Sequence, residues 1–146
     1  MSNVLSKQRV LFLCTGNSCR SQMAEGFLRE VGGDAFEVAS AGLNPTRINP
    51  LAVRVMAEAA VDISAQYSKS VDEMTAGQFD YVITVCDRAQ EVCPVFPRAA
   101  RSLHWSFEDP AEATGNDRLI VFRRVRDEIG AQVREFVSNI GRGRDV

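Results

Sequence analysis

The feature that most constrains this chain is an apolar run that stops at a polar loop and resumes as a helix. Arg9-Val-Leu-Phe-Leu-Cys14 is short, apolar and partly β-branched, the make-up of a buried strand. It runs directly into Thr15-Gly16-Asn17-Ser18, a turn-forming cluster. From Ser21 onward Met23, Phe27, Leu28 and Val31 recur at helical spacing, and Gly32-Gly33 ends the segment. Strand, tight loop and helix form a βα unit, and the pattern repeats. Phe36 to Ala41 alternates as a second strand, and Pro50 opens a helix with Leu51, Val55, Met56 and Ala59 on one face. Tyr81 to Cys86 reads as a third strand and Arg101 to Trp105 as a weaker fourth. Arg118 to Ile140 carries Phe122, Val125, Ile129, Val133, Phe136, Val137 and Ile140 as a long amphipathic helix, closed by Gly141 and Gly143. The tail from Arg142 to Val146 is expected to fray. The alternation predicts an α/β fold of three layers, a parallel sheet with helices on both faces and right-handed crossovers.

Composition narrows the function classes. With 146 residues, 45% of them hydrophobic, residues 1–146 are expected to close one core as a single domain. Lys and Arg number 17 against 19 Asp and Glu, a net charge of -2, so no global basic field exists to grip nucleic acid. The longest apolar run, Val10 to Cys14, is far short of the roughly 20 residues of a membrane span, and Met1 to Gln8 is too polar for a signal peptide. A cytoplasmic protein without membrane contact is expected. Four cysteines are too few for a secreted disulfide scaffold, and cytoplasmic thiols stay reduced unless they are catalytic or bind metal.

In open parallel sheets, ligands bind beyond the carboxyl ends of the strands. Cys14 ends the first strand, Cys86 ends the third, and Asp109 follows the fourth, so all three are expected on one edge. Cys14-Thr-Gly-Asn-Ser-Cys-Arg20 places Arg five residues beyond Cys, with Ser21 and a helix next. Thr15, Gly16, Asn17, Ser18, Cys19, Arg20 and Ser21 thus make a cradle of inward N–H groups at a helix N-terminus, which suits a tetrahedral anion. Arg20 can close it with a bidentate fork. The same field, with Ser21 donating, is expected to depress the Cys14 pKa and make it a nucleophile. No Gly-Lys-Ser/Thr follows, so the nucleotide-binding loop is excluded.

Val10-Leu-Phe-Leu-Cys-Thr-Gly-Asn-Ser-Cys-Arg-Ser-Gln-Met-Ala-Glu-Gly26 resembles the signature of thioredoxin-coupled arsenate reductases, which share the fold of low-molecular-weight tyrosine phosphatases, and the resemblance implies a four-stranded parallel sheet flanked by helices. The likeness extends through Ser40-Ala-Gly42, Val85-Cys-Asp-Arg-Ala-Gln-Glu-Val-Cys-Pro94, His104-Trp105, Asp109-Pro-Ala111 and Phe122-Arg-Arg-Val-Arg-Asp-Glu128, nearly the whole chain. Cys86 and Cys93 are what point to the reductase branch, because reduction of As(V) needs two electrons and hence a thiol pair. The resemblance implies a relay. Cys14 attacks arsenate, Asp109 protonates a departing oxygen, Cys86 attacks Cys14 as arsenite leaves, Cys93 takes over the bridge, and thioredoxin reduces it. Phosphate and sulfate would compete as oxyanions, no cofactor or metal is implied, and a monomer is expected.

The alternative is a tyrosine phosphatase working through a phosphocysteine. Phosphatases of this fold usually place an aromatic residue after Asp-Pro, whereas Ala111 stands here. A zinc or redox-sensing module is a third reading, disfavoured by the six residues between Cys86 and Cys93. Cys19 reads as a buried spacer and His104 as a packed, hydrogen-bonded strand residue. Glu108 competes with Asp109 for the acid role, and by resemblance Asn17 supports the loop from beneath. Some relatives bind potassium through positions that here are Asn17, Glu25 and Ser40, with Tyr67 and Lys69 aligned to two more ligands. Since an ammonium cannot ligate a cation, Lys69 predicts no potassium requirement. If Asp87 to Val92 is helical, the Cα atoms of Cys86 and Cys93 stand roughly 10 Å apart at 1.5 Å per residue, about twice disulfide range. The dithiol segment would then have to unwind on oxidation.

Overall fold

The computed structural model describes residues 7–74, 77–87, 89, 101–141 and 143. Strands β1 (Gln8–Cys14), β2 (Phe36–Gly42), β3 (Tyr81–Thr84) and β4 (Arg101–His104) form one sheet in the order β2-β1-β3-β4. All three pairings are parallel, with Cys14 opposite Gly42, Leu13 opposite Thr84, and Thr84 opposite His104. Helices α1 (Arg20–Gly32), α2 (Pro50–Glu58) and α3 (Arg118–Gly141) flank it. The strand that begins the motif is central, and Val10 to Leu13 are wholly buried. Their near-continuous apolar character is what a strand covered on both faces requires.

Local chemistry explains the element ends. Asn49 caps α2 by accepting from the Leu51 N–H at 2.9 Å, with Pro50 in the first turn where no N–H is needed. Along α3 the residues Phe122, Val125, Ile129, Val133 and Phe136 are buried, a stripe at helical spacing. Phe136 alone reaches rings from three parts of the sheet: Phe36 at 6.1 Å, Tyr81 at 5.1 Å and Trp105 at 5.6 Å. That contact pattern lays α3 across the strands and fixes the loop after β4, which carries Asp109.

Of the boundaries that differ from the sequence expectation, two bear on the site. The third strand stops at Thr84, two residues before Cys86, because Asp87 and Ala89 are already helical and the Ala89 N–H donates to Cys86 Sγ at 3.4 Å. Cys86 therefore sits at a helix start. The fourth strand stops at His104, although the Trp105 N–H still donates to the Thr84 carbonyl at 2.8 Å. Cys93, the helicity expected through Val92, and the tail residues 142 and 144–146 lie outside the described residues.

Candidate active site

The loop between β1 and α1 is shaped from behind. The carbonyls of Cys14, Thr15, Gly16 and Ser18 accept from the N–H groups of Leu43, Asn44, Thr46 and Asn49 at 3.2, 2.8, 3.0 and 3.1 Å. The Asn17 carbonyl accepts from Gln22 Nε2 at 3.1 Å and Ser68 Oγ at 2.7 Å, and the Cys19 carbonyl begins the α1 ladder with Met23. With its carbonyls occupied on that side, the loop leaves the N–H groups of Thr15 to Cys19 with no protein acceptor among the described residues. These N–H groups and the positive end of α1 are what the loop presents to an anion.

Asn17 is the buried keystone, at φ 50, a left-handed conformation that Asn tolerates. Its Oδ1 accepts from the Lys69 N–H at 2.9 Å, so its Nδ2 must face Ser21 Oγ at 2.8 Å and Ser40 Oγ at 2.9 Å. Ser21 Oγ already accepts from Asn17, so its single proton goes to its other partner, Cys14 Sγ, at 2.8 Å. Gly42 allows this closeness. A Cβ there would lie 2.7 Å from the Thr15 carbonyl oxygen and 2.8 Å from the Asn17 nitrogen, both backbone atoms that cannot swing aside. Gly42→Ala is expected to weaken phosphate binding at least about tenfold, a loss on the scale of one or two charge-assisted hydrogen bonds, measured by the phosphate-induced rise in Tm.

A cleft of about 280 Å³ opens over this loop, lined by Cys14, Thr15, Gly16, Ser18, Cys19, Arg20, Thr46, Asp109 and Ala111. Arg20 crosses it, donating from Nη1 to the Phe107 carbonyl at 3.2 Å with Nη2 3.5 Å from Asp109 Oδ2. Asp109 also caps the short turn Pro110–Glu112 by accepting from the Ala111 N–H at 3.0 Å. Cys86 approaches from the β3 side, its Sγ 3.5 Å from Thr15 Oγ1. A thiol, an arginine and a carboxylate thus line one anion cradle, and a second buried thiol from distant sequence reaches its loop at Thr15.

Comparison with known proteins accords with this geometry. The family model for low molecular weight phosphotyrosine protein phosphatases matches residues 9–145. An arsenate reductase of Halalkalibacterium halodurans is 47% identical over 136 residues, covering 92% of this chain and 98% of that protein. The chain belongs to the arsenate reductase branch of the low-molecular-weight phosphatase family. A solved arsenate reductase in its phosphate-binding state superposes with a TM-score of 0.81 at 35% identity, over 91% of this chain and 98% of that one. A thioredoxin-dependent arsenate reductase of Corynebacterium glutamicum superposes at 0.74 with 31% identity, over 97% of this chain and 65% of that one.

Within this family fold the electrostatics of Cys14 correct one expectation. Burial is the largest influence and pushes the thiol up, against the Ser21 hydroxyl, the Ser21 N–H and the Arg20 guanidinium, which pull it down; Cys86 adds a smaller upward push. The lowering groups expected from the loop are all present, but the sulfur lies on the loop floor, 2% exposed, where desolvation outweighs them. Cys19 is pushed up to about 12 by burial and leans on Ser18 Oγ at 3.8 Å. It is a spacer in the loop wall, as its position suggests.

The remaining candidates separate cleanly. Glu108 is turned to α3, where Arg124 holds it at 2.6 Å, and it does not line the cleft. His104 bridges Thr84 Oγ1 at 2.7 Å and Asp87 Oδ1 at 3.0 Å, the packed and hydrogen-bonded role expected of it. Ser106 adds a 3.1 Å bond to the same Asp87 oxygen, and these partners hold the Asp87 carboxyl below its ordinary range. Cys14, Cys19 and Cys86 are free thiols, and among the described residues no three His, Cys, Asp or Glu groups converge as metal ligands. No described helix is long and apolar enough to cross a membrane. Sequence reasoning missed Thr46 and the 43–49 amides, because a backbone donor leaves almost no signature in side-chain identity.

Proposed function

We propose that this protein reduces arsenate to arsenite through a cysteine relay, with thioredoxin as reductant. The observation that carries the reading is the approach of a second buried thiol, Cys86, to the loop that holds Cys14, its Sγ 3.5 Å from Thr15 Oγ1. Arsenate is held by the loop N–H groups and Arg20, which turns from the Phe107 carbonyl toward the anion. Cys14 attacks arsenic, an As–O bond breaks, and Asp109 gives its proton to the departing oxygen. The Cys86 thiolate then attacks Cys14 Sγ, the S–As bond breaks, and its electron pair leaves on arsenic as arsenite. Two thiols have become a disulfide and As(V) has become As(III), so the electrons balance. Cys93 attacks Cys86, moving the bridge to Cys86–Cys93, where thioredoxin reduces it. Every group in the scheme comes from one chain, so a monomer suffices, and a cytoplasmic setting supplies the reductant.

The deciding experiment is arsenate-dependent NADPH oxidation in the presence of thioredoxin and its reductase. Consumption no greater than in the arsenate-free control would overturn the reading in favour of the phosphatase. Asp109→Asn is expected to slow the arsenic–cysteine adduct about 10²- to 10⁴-fold, the usual contribution of a positioned acid, while a mild oxidant still forms the disulfide. Rapid-quench trapping checks this, and an unchanged adduct rate would reduce Asp109 to a capping residue. No potassium requirement is expected, because Glu25 already has Arg29 as its countercharge and the Lys69 ammonium cannot ligate a cation. Activity equal in sodium and potassium salts is the predicted result.

A further inference from the structure

Behind the loop lies a polar circuit that the relay does not use directly. Arg29 is half exposed on the outer side of α1, yet besides the Val38 carbonyl at 3.4 Å its guanidinium grips two side chains that both lead inward. One branch passes through Glu25: Arg29 Nη2 donates to Glu25 Oε2, Ser40 Oγ donates to Glu25 Oε1 at 2.6 Å, and Asn17 Nδ2 donates to Ser40 Oγ at 2.9 Å. The other passes through two glutamines. Arg29 Nη1 donates to Gln66 Oε1 at 2.7 Å, Gln66 Nε2 to Gln22 Oε1 at 2.7 Å, and Gln22 Nε2 to the Asn17 carbonyl at 3.1 Å. Both branches end on Asn17, the residue that fixes Ser21 as a donor to Cys14.

The direction of each link follows from counting protons. Ser40 has one, and the Glu25 carboxylate takes it, so Ser40 can only accept from Asn17. The same amide then points its second N–H at Ser21, whose proton is left for the sulfur. The carboxylate end of the chain is 6% exposed, and a charge so buried needs a countercharge. Arg29 supplies it by direct contact. Lys69 is the other cation in range, but its Nζ is committed to the Tyr67 carbonyl at 2.9 Å and lies 4.4 Å over the Tyr67 ring. The charged and titratable groups that bear on Cys14 itself are Arg20 and Cys86, with Asp109 across the cleft.

We propose that Arg29 is a positioning residue for the nucleophile: from the protein surface it closes two hydrogen-bonded branches that hold Asn17, and through it Ser21, in the orientation that serves Cys14. The proposal rests on Cys14 being the nucleophile. Its test is the pH profile of Cys14 alkylation by iodoacetamide, with fragment mass spectrometry separating Cys14 from Cys19 and inorganic phosphate as the protecting ligand.

Arg29→Met is expected to move the midpoint upward by about one pH unit and slow alkylation about tenfold at neutral pH, the scale of one hydrogen bond to a charged group. Arg29→Lys keeps the charge but not the fork and is expected to lose about threefold. The double variant Glu25→Gln/Arg29→Met removes the unpaired buried charge, so its Tm should recover while Cys14 stays slow. A midpoint in Arg29→Met equal to wild type, or Tm and alkylation recovering together in the double variant, would overturn the proposal. If Arg29→Met does not fold, the double variant decides in the same way. Wild-type Cys14 that reacts no faster than Cys19, or that phosphate does not protect, would instead remove the nucleophile assignment and this proposal with it.

Discussion

Cys14→Ser is expected to make no arsenite, in single or multiple turnover, while still binding phosphate in the loop. A hydroxyl has neither the acidity nor the redox chemistry of a thiol, so the variant loses the covalent step and the later disulfide at once. The cradle should survive the change, because the loop is held by the 43–49 amides and Asn17 rather than by the sulfur. Phosphate should therefore still raise Tm, by the usual mass-action stabilisation of the folded state. Arg20→Lys is expected to keep the fold and lose about 10²- to 10³-fold in adduct formation, since a point charge cannot reproduce a planar fork at a tetrahedral anion. Arsenite measured after rapid mixing checks both, and substantial product from Cys14→Ser would take the residue out of its role.

Cys93→Ala is expected to release about one arsenite per enzyme and then stop. Cys14 and Cys86 are 2% and 3% exposed, so a bridge between them is closed to a protein-sized reductant. Cys93 is assigned the task of carrying the bridge to where thioredoxin can reach it. Cys86→Ala should stop one step earlier, with arsenic still attached to Cys14 and no arsenite released. Single-turnover stoichiometry separates the two variants, and repeated turnover of Cys93→Ala with thioredoxin would contradict the third thiol's role. Hydrogen exchange across 86–93 in both redox states tests the unwinding expected of that segment.

Much of this site is legible in the sequence because its chemistry is carried by side chains at strand ends. Cys14, Arg20 and Asp109 reach one cleft simply because a parallel sheet brings the carboxyl ends of its strands to one edge. Sequence puts Cys86 one element too early: its apolar neighbours read as strand, but its sulfur caps the helical turn that follows. The acidity of Cys14 was misjudged for a different reason. Sequence shows which groups favour the thiolate, whereas the opposing cost depends on depth, a property of the packed fold. Arg29 and Glu25 are a helix-surface pair four residues apart on α1, but the links through Gln66 and Ser40 to Asn17 are made only by the fold.

The way the 43–49 segment holds the loop has a consequence for redesign. Its contribution is made by peptide N–H groups at 43, 44, 46 and 49, so the side chains there are not needed to keep the anion seat in shape. Proline is the exception, having no N–H to give. It is accommodated at Pro45, where no loop carbonyl depends on the amide, whereas at 44, 46 or 49 it would orphan the carbonyl of Thr15, Gly16 or Ser18. Substitutions at Thr46 with proline left out would thus vary the rim of the cleft, and with it the size of oxyanion admitted, while the seat beneath stays as built.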